Sequence, residues 1–240
     1  MAGGHYIALS GMRTRLDELD RLAADLANVG TAGYKGERVG LRDAPRPQFD
    51  AALETAIDAT TGGRRLDNRP GAIERTGRDL DLAIEGRGFL VVDTPAGPRY
   101  TRNGHLTRQP DGTLITADGA VVRGAEGPLT VGEGRLRIDA DGTVTAGETV
   151  AGKLAVVEFA DPGTLVRETG ALLRAPDDAA PTPAANAVVR TGALEASNVS
   201  VVDRVAELTN VNRSFQALQK AVSVLMNDID GRAVETLSRR

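Results

Sequence analysis

Two histidines are the only imidazole side chains in this 240-residue sequence, and they lie far apart along the chain. His5 lies in the N-terminal segment and His105 beside a predicted hairpin turn. Neither has a metal-ligating neighbour at motif spacing. The chain has no cysteine, which excludes disulfides, thiolate nucleophiles and cysteine-ligated metals. Histidine and cysteine usage therefore predicts neither a metal centre nor a catalytic triad.

Two acidic, glycine-containing motifs resemble ligand loops but are better explained as turns. Asp139-Ala140-Asp141-Gly142 looks like the start of a calcium loop. The EF-hand pattern requires glycine at the sixth position and glutamate at the twelfth, where this chain has Val144 and Val150. Glu85-Gly86-Arg87-Gly88-Phe89 lacks the third glycine and the following helix of a dinucleotide fingerprint. Nothing selects a catalytic pair of carboxylates, so we expect no enzyme activity, no cofactor and no metal.

Charge and hydropathy argue against two further classes of partner. The formal net charge of −4 argues against nucleic acid, and we interpret the cluster of Arg64, Arg65 and Arg69 as a solvated loop. No apolar run approaches the roughly 20 residues needed to cross a bilayer, so we expect no direct membrane insertion. The N-terminus lacks the charged and apolar regions of a cleaved signal peptide. Any export is therefore expected to proceed without such a signal.

Each end of the chain carries apolar residues spaced by alternating threes and fours. The N-terminal stripe consists of Leu9, Met12, Leu16, Leu19, Ala23 and Leu26, and the C-terminal stripe consists of Val201, Val205, Leu208, Asn212, Phe215, Gln219, Val222, Met226 and Ile229. This is the a/d spacing of coiled coils, in which a narrow apolar stripe is covered by a partner helix. The stripes predict one helix from about His5 to Asn28 and another that starts after Ser197 or Ser200 and runs to about Leu237.

The stripes leave two questions open. The helices either pair within an assembly of several chains or form an intramolecular hairpin packed on their own domain. Asn212 and Gln219 either fix the register of the pairing, as polar residues do in coiled coils, or lie at a wetter edge.

The middle of the chain has a period of two, which indicates strands. Candidate strands are Ala72–Arg75, Leu80–Ile84, Phe89–Asp93, Arg99–Arg102, Gly112–Thr116, Ala120–Arg123, Arg135–Ile138, Thr143–Thr145, Lys153–Phe159, Ala171–Arg174 and Val188–Arg190. Asn103-Gly104, Asp118-Gly119 and Asp141-Gly142 are turn dipeptides between them. Because turns and not helices separate the strands, a parallel βαβ sheet is disfavoured. Aromatic residues are scarce, so Phe89 and Phe159 are the expected large side chains of the core.

These patterns together predict an α+β fold. Long N- and C-terminal helices form a coiled-coil-like axial part, and the central domain is mainly antiparallel β structure. The predicted division is an N-terminal axial helix and exit loop in residues 1–35, an extended connector in 36–70, a central β domain in 71–190, and a C-terminal axial helix in 191–240. The connector includes a candidate short helix at Phe49–Ala59.

Three stretches resemble one family, the rod and hook proteins of the bacterial flagellum. The first, Leu26-Ala27-Asn28-Val29-Gly30-Thr31-Ala32-Gly33-Tyr34-Lys35, is similar to the family signature at the end of the first helix. The second comprises Asp81 to Val92 and Arg99-Tyr100-Thr101-Arg102-Asn103-Gly104, and the third is Gly192 to Val199. Two asparagines often precede Leu-Ala-Asn in the family, whereas this chain has Ala24-Asp25.

The resemblance implies a structural subunit of the tubular rod that transmits torque from motor to hook. Length and the opening residues look most like proximal rod members, with distal rod members as the alternative. The implied partners are other rod proteins, copies of the same chain and the flagellar type III export apparatus. The implied location is the periplasm-spanning rod of the basal body. A β-rich binding module dimerised by its helices is the competing class, and an enzyme ranks third.

We expect the assembly interface to involve both stripes and the loop that follows the first helix. Its candidate residues are Leu9, Met12, Leu16, Leu19, Leu26, Asn28, Tyr34, Val205, Leu208, Asn212, Phe215 and Val222. The glycines of the loop allow a sharp exit from the helix, and Tyr34 is expected to pack on the next subunit.

Overall fold

A computed structural model describes residues 2–39 and 64–238 of the chain. Helix α1 spans Ala2–Ala27 and helix α2 spans Val201–Ser238, with the strands between them. In chain order the strands are β1 Glu37–Val39, β2 Arg64–Leu66, β3 Ile73–Arg75, β4 Asp81–Glu85, β5 Phe89–Thr94, β6 Gly97–Thr101, β7 Gly104–Arg108, β8 Leu114–Thr116, β9 Val121–Gly124, β10 Gly127–Pro128, β11 Leu136–Ile138, β12 Thr143–Ala146, β13 Thr149–Lys153, β14 Val156–Glu158, β15 Val166–Arg167, β16 Leu173–Arg174, β17 Thr182–Pro183, β18 Val188–Thr191 and β19 Ala193–Glu195. A 3₁₀ turn covers Pro162–Thr164. The candidate helix at Phe49–Ala59 lies outside the described residues.

The strands form four sheets. The largest has 12 strands, along the path β15-β16-β6-β5-β9-β8-β7-β4-β18, with β10, β14 and β17 attached beside it. Strands β11, β12 and β13 form a three-stranded sheet, and β1-β2 and β19-β3 form two-stranded sheets. Neighbouring strands are antiparallel, as in the β5–β6 pairing of Val91 with Tyr100. Short connections join β5 to β6, β7 to β8 and β8 to β9, whereas β4–β18, β5–β9 and β6–β16 are pairings of strands distant in the chain.

The core lies on both faces of β5, where successive side chains point to opposite sides. Leu90 and Val92 belong to a large aliphatic cluster with residues of β4, β7, β8, β9 and the three-stranded sheet. Phe89 and Val91 belong to a second cluster that contains Phe159. Both predicted core aromatics are buried, at 4% exposure for Phe89 and 3% for Phe159. The two rings pack edge to face with centroids 6.1 Å apart.

The loop Asp139–Gly142 is a hairpin turn between β11 and β12. The backbone N–H of Thr143 donates to Oδ1 of Asp141 at 3.0 Å. This hydrogen bond holds the pKa of the Asp141 carboxyl below its ordinary value. Gly142 has a φ of +86°, the left-handed conformation that glycine adopts without strain. Because the Asp141 side chain is hydrogen-bonded within its own turn, the motif is explained as a turn, as the sequence predicts.

The chain divides into two compact units. The helical unit contains α1 and α2, and the β unit contains Asn28–Arg38 and Arg65–Val199. Ser200 begins the second helix: its Oγ lies 3.4 Å from the backbone N of Asp203, the arrangement of an N-cap. Neither helix carries an apolar stretch of the kind that spans a membrane, within the residues that the structure describes.

The predicted fold class is wrong. Helices α1 and α2 hold 26 and 38 residues, and the remainder of the described chain is a multi-sheet β structure that dominates the fold. The helices do contact each other and run antiparallel, since Gly11 lies opposite Leu218 and Asp25 opposite Arg204. However, their contact does not use the two predicted stripes as a coiled coil would.

The buried stripe on each helix matches only alternate positions of the predicted one. The matching positions are Met12, Leu19, Leu26, Leu208, Phe215 and Val222, and the predicted positions between them are exposed. On α2 the least exposed positions are Arg204, Leu208, Val211, Phe215, Leu218 and Val222, whereas Val201, Val205, Asn212 and Gln219 are exposed. On α1 they include Gly11, Arg15, Glu18, Arg21, Leu22 and Asp25, whereas Leu16 and Ala23 are exposed. The reason is that charged side chains occupy inward positions, and a pattern that counts only apolar residues assigns them to solvent.

Candidate functional site

The three recognisable stretches of sequence meet at one place in the β unit. The residues that follow α1 are hydrogen-bonded to those that precede α2: the Gly33 N–H donates to the Glu195 carbonyl at 2.6 Å, and the Asn198 N–H to the Tyr34 carbonyl at 3.3 Å. The Asn198 side chain also accepts from the Gly36 N–H at 2.8 Å. We call this arrangement the clasp, made of Gly33–Gly36, Gly71, Arg102, Arg167, Glu195 and Asn198.

A buried carboxylate lies at the centre of the clasp. The Glu195 side chain is 2% exposed, and its Oε1 accepts from Lys35 Nζ at 2.5 Å and from the Gly71 N–H at 3.0 Å. Its Oε2 accepts from Arg102 Nη1 at 3.2 Å. Two cations and one backbone donor thus converge on one carboxylate, which is what a charge needs in order to be tolerated away from water.

The two cations that contact Glu195 use their remaining donors on backbone carbonyls. Lys35 Nζ donates to the Arg69 carbonyl at 2.8 Å. Arg102 donates to the Ile84 carbonyl at 2.8 Å and to the Gly86 carbonyl at 2.6 Å. Burial lowers the pKa of Lys35, and the attraction of Glu195 partly offsets this. Burial likewise lowers the pKa of Arg102. The positive charges of Lys35 and Arg102 are therefore stabilised by the Glu195 carboxylate.

Tyr34 is enclosed by its own chain. Its side chain is fully buried, and the Arg167 guanidinium lies 4.4 Å from the centre of its ring in a cation–π contact. Arg167 also donates to the Tyr34 hydroxyl and, at 2.7 Å, to the Lys35 carbonyl. No part of the Tyr34 ring is exposed in this structure, and packing of Tyr34 on a neighbouring subunit stays a prediction.

Two glycines of the clasp allow backbones to approach more closely than side chains would permit. A Cβ at Gly33 would lie 2.2 Å from the carbonyl carbon of Arg102, and a Cβ at Gly71 would lie 1.9 Å from the Ala196 carbonyl oxygen. Gly33 also has a φ of +67°. Any residue other than glycine at position 33 or 71 would therefore require the backbone to move.

The predicted interface residues of the helices fall into three groups. Leu16, Val205 and Asn212 are exposed. Half-buried positions are Met12, Leu19, Leu26, Asn28, Leu208, Phe215 and Val222. The Leu9 side chain lies outside the described part of the chain. The exposed apolar side chains on the helices are Leu16, Val201, Val202, Val205 and Val224, with exposures between 47% and 78%. Such a surface is available to another chain.

The described residues carry no grouping suited to catalysis or metal binding. Across 2–39 and 64–238, no three histidine or acidic side chains are placed to hold a metal ion. His105 is engaged by Asp81, with Nδ1 2.9 Å from Oδ1, and by Arg78. Arg65 and Arg69 pair with Asp161 and Asp67 rather than forming a free cationic patch. The arrangement can hold chain segments together, and its chemistry is structural.

The sequence did not single out Glu195, Arg102, Arg167 or Asn198 as functional residues. Their partners lie far away along the chain, for example 160 positions between Lys35 and Glu195. The available signal was that three of them lie within the recognisable stretches. Charged residues inside such motifs are candidates for buried pairs.

Two family models match this chain, and each matched region contains residues of the clasp. The family model described as flagellar hook protein FlgE/F/G D1 domain matches residues 83–146. The model described as flagellar basal body rod FlgEFG protein C-terminal matches residues 190–228. The first region contains Arg102, and the second contains Glu195 and Asn198.

Full-length similarity extends to several curated proteins. The chain is 32% identical to the flagellar basal-body rod protein FlgF of Caulobacter vibrioides, over 98% of this chain and 97% of that protein. It is 33% identical to FlgF of Escherichia coli, over 97% of each chain. It is 31% identical to the flagellar basal-body rod protein FlgG of Bacillus subtilis, over 91% of this chain and 93% of that protein.

Proposed function

Because the chain belongs to the family of flagellar basal-body rod and hook proteins, we propose that it is a proximal, FlgF-type subunit of the rod. Like its relatives, it is a structural subunit of the flagellar basal-body rod and not an enzyme. In this role it joins copies of itself and other rod proteins in the tubular axle that transmits torque from motor to hook. A distal, FlgG-type position is the alternative.

Full-length similarity to FlgF proteins carries the proximal assignment. Two FlgF relatives align over nearly the whole chain, and the FlgG relative aligns over somewhat less of it. The clasp supports the structural role, since it joins the segments next to both helices through buried charges that no reaction requires. The same similarity leaves a stand-alone β-rich binding module without support.

We assign assembly to the helices and not to the clasp. Exposed Leu16, Val201 and Val205 offer apolar area that water would otherwise cover, and burying it favours association. The half-buried helix positions of the predicted interface take part where a neighbouring chain extends the contact onto them. Contacts between different surfaces of successive subunits generate a helical filament when the rotation does not close. The division into an axial helix at each end, a connector and a β domain belongs to the same proposal.

Export through the flagellar type III apparatus without a cleaved signal peptide is part of the proposal. Such export requires an unfolded chain, and the absence of cysteine means that no disulfide opposes it. We expect the protein recovered from basal bodies to retain the whole of α1. Intact-mass spectrometry of purified hook–basal bodies measures this. A mature chain that begins within α1 would contradict export without cleavage.

An introduced cysteine tests the position in the rod. Ala23 is exposed on α1, and the native chain has no cysteine to compete with a new one. In Ala23→Cys, we expect a bifunctional thiol cross-linker to join this chain to other rod subunits in isolated basal bodies. The linked proteins, identified by mass spectrometry, distinguish proximal from distal neighbours.

The cysteine-free parent is the control, because it must give no thiol-dependent product. Cross-links only to subunits at the hook end would replace the proximal assignment with the distal one. Absence of the chain from basal bodies, with the folded protein found elsewhere in the cell, would overturn the rod function altogether.

A further inference from the structure

A buried ion cluster lies inside the helical unit. Asp25 on α1 is fully buried, and its Oδ2 lies 3.1 Å from Nε of Arg204 on α2. Arg21, one turn earlier on α1 and 5% exposed, places Nη1 3.7 Å from the same oxygen. The outer end of Arg204 pairs with Glu207 at 2.5 Å. The cluster thus combines two carboxylates with two guanidinium groups and carries no net charge.

On α2, the positions outside the cluster do not specify an alignment. The inward positions of α2 beyond the cluster are all apolar and recur every three or four residues: Leu208, Val211, Phe215, Leu218 and Val222. If α1 slid by one turn, about 5.4 Å, its inward apolar side chains Met12, Leu19 and Leu22 would still face apolar positions of α2. The inward charged residues Arg15 and Glu18 pair with each other within α1 and are partly exposed, so this pair moves with the helix. Apolar contacts of this kind tolerate exchange, because volume and pattern are preserved.

The ion cluster does not tolerate the same slip. Moving α1 by a turn would separate Asp25 from Arg204 and leave charged groups buried without each other. An uncompensated buried charge is strongly disfavoured, whereas the correctly paired charges contribute little net stability over apolar residues of similar size. The best-attested use of such a group is to fix the register of a helix pair.

We propose that Asp25 and Arg204 are positioning residues that fix the register of α1 against α2. They do so by penalising the slipped alignments that the apolar stripe alone would allow. The register in turn sets how the exposed side chains of the two helices, such as Leu16 and Val205, are presented to neighbouring chains. The inference concerns pairing within one chain and stands whether the subunit is proximal or distal.

Pairs of introduced cysteines report the register, because the chain has none of its own. A Cβ at Gly11 lies 3.7 Å from Cδ1 of Leu218, so Gly11→Cys with Leu218→Cys reports the native alignment. Gly11→Cys with Val222→Cys reports a slip of one turn. Each pair is placed in the full-length chain, which is oxidised at low concentration so that only intramolecular disulfides form. Peptide mass spectrometry then measures the yield of each disulfide.

In the parent background we expect the native pair to exceed the slipped pair by about tenfold, which corresponds to about 1.4 kcal/mol. Replacing the buried charges by apolar residues, in the triple variant Arg21→Met, Asp25→Leu and Arg204→Met, is expected to reduce this ratio to about threefold or less and leaves no buried charge without a partner. The melting temperature of the variant is expected to stay level or rise, which separates a loss of register from a loss of stability.

The Arg15–Glu18 pair provides a matched control. It lies on the same helix at 2.6 Å but is partly exposed, and Arg15→Met with Glu18→Leu should leave the ratio unchanged. An unchanged ratio in the triple variant would overturn the proposal, since apolar packing would then set the register. So would loss of both disulfides in a folded variant, since the cluster would then be needed for pairing itself. If the triple variant does not fold, Asp25→Asn, which keeps the size of the side chain, must lower the ratio for the proposal to stand.

Discussion

The Glu195→Gln variant is expected to lose about 3–5 kcal/mol of unfolding free energy, which is a large part of the stability of an ordinary domain. Glutamine keeps the size of the side chain and removes the charge that Lys35 and Arg102 share. Both cations are nearly inaccessible to water, at 3% and 9% exposure of the side chain. They would remain buried with no carboxylate between them. Urea denaturation of the full chain, followed by circular dichroism, measures the loss.

Glu85→Gln is the matched control for this prediction. Glu85 also forms a glutamate–arginine pair, with Arg190 at 2.7 Å, but the two side chains are 35% and 53% exposed. Exposed pairs contribute only about 0–1 kcal/mol, since water replaces the lost partner. Equal losses in the two variants would show that the clasp charges have no special importance. Swimming in soft agar is expected to fail for Glu195→Gln and to persist for Glu85→Gln.

A double-mutant cycle with Lys35→Met and Glu195→Gln measures the interaction between these two side chains apart from the contacts that each makes with other residues. In the parent chain Lys35→Met leaves Glu195 with one cation fewer and costs stability. In the Glu195→Gln background it removes a buried charge that has already lost its partner, so the additional cost is expected to be smaller or absent. The difference between the two costs is the coupling of Lys35 and Glu195. Additive costs would mean that the two side chains act independently.

The strands and turns were predictable because their signals are local. The Asp-Gly dipeptides at 118–119 and 141–142 lie at turns between neighbouring strands, and both glycines have positive φ. The strand predicted at Phe89–Asp93 ends within one residue of the observed end of β5. Very short strands such as β10, β15 and β17, with two residues each, were not predicted. Two residues are too few to show a period, and β17 pairs with β14, about 25 positions earlier in the chain.

The helices show where a local pattern fails. Both were predicted close to their observed bounds, but only alternate positions of each predicted stripe lie on the buried face. On α1 the apolar stripe contained Leu26 and not Asp25, whereas Asp25 is fully buried against Arg204. A buried charge on one helix is explained only by a charge on the other, and no single-helix pattern contains that information.

The clasp could not be predicted from the sequence for a related reason. Its parts were recognised as three motifs, but each motif was interpreted by itself: a helix exit, the opening of a β domain and a helix entry. The sharp exit that the loop glycines allow predicted that Tyr34 packs on a neighbouring subunit, without pointing to a partner within the same chain. In the structure the stacking partner is Arg167, which lies 133 positions along the chain.

The Gly33→Ala variant is expected to lose about 2–5 kcal/mol of unfolding free energy. A non-glycine residue in the left-handed conformation costs about 1–2 kcal/mol. Overpacking typically adds about 1–3 kcal/mol, and here the new Cβ would meet backbone atoms of Arg102 and Asn103 that cannot rotate away. The change would also disturb the hydrogen bond from the Gly33 N–H to the Glu195 carbonyl. Urea denaturation and swimming assays of the full chain measure the two consequences.

Gly77→Ala isolates the cost of close approach from the cost of backbone conformation. Gly77 has a φ of +72°, nearly that of Gly33, but nothing lies within 4 Å of a Cβ built on it. This variant should therefore lose only about 1–2 kcal/mol and leave swimming intact. The excess loss in Gly33→Ala then measures how tightly the segment after α1 is pressed against Arg102 and Asn103. If the two variants lost the same amount, the clasp would be looser than the structure shows, and the segment that follows α1 would have room to move independently of β6.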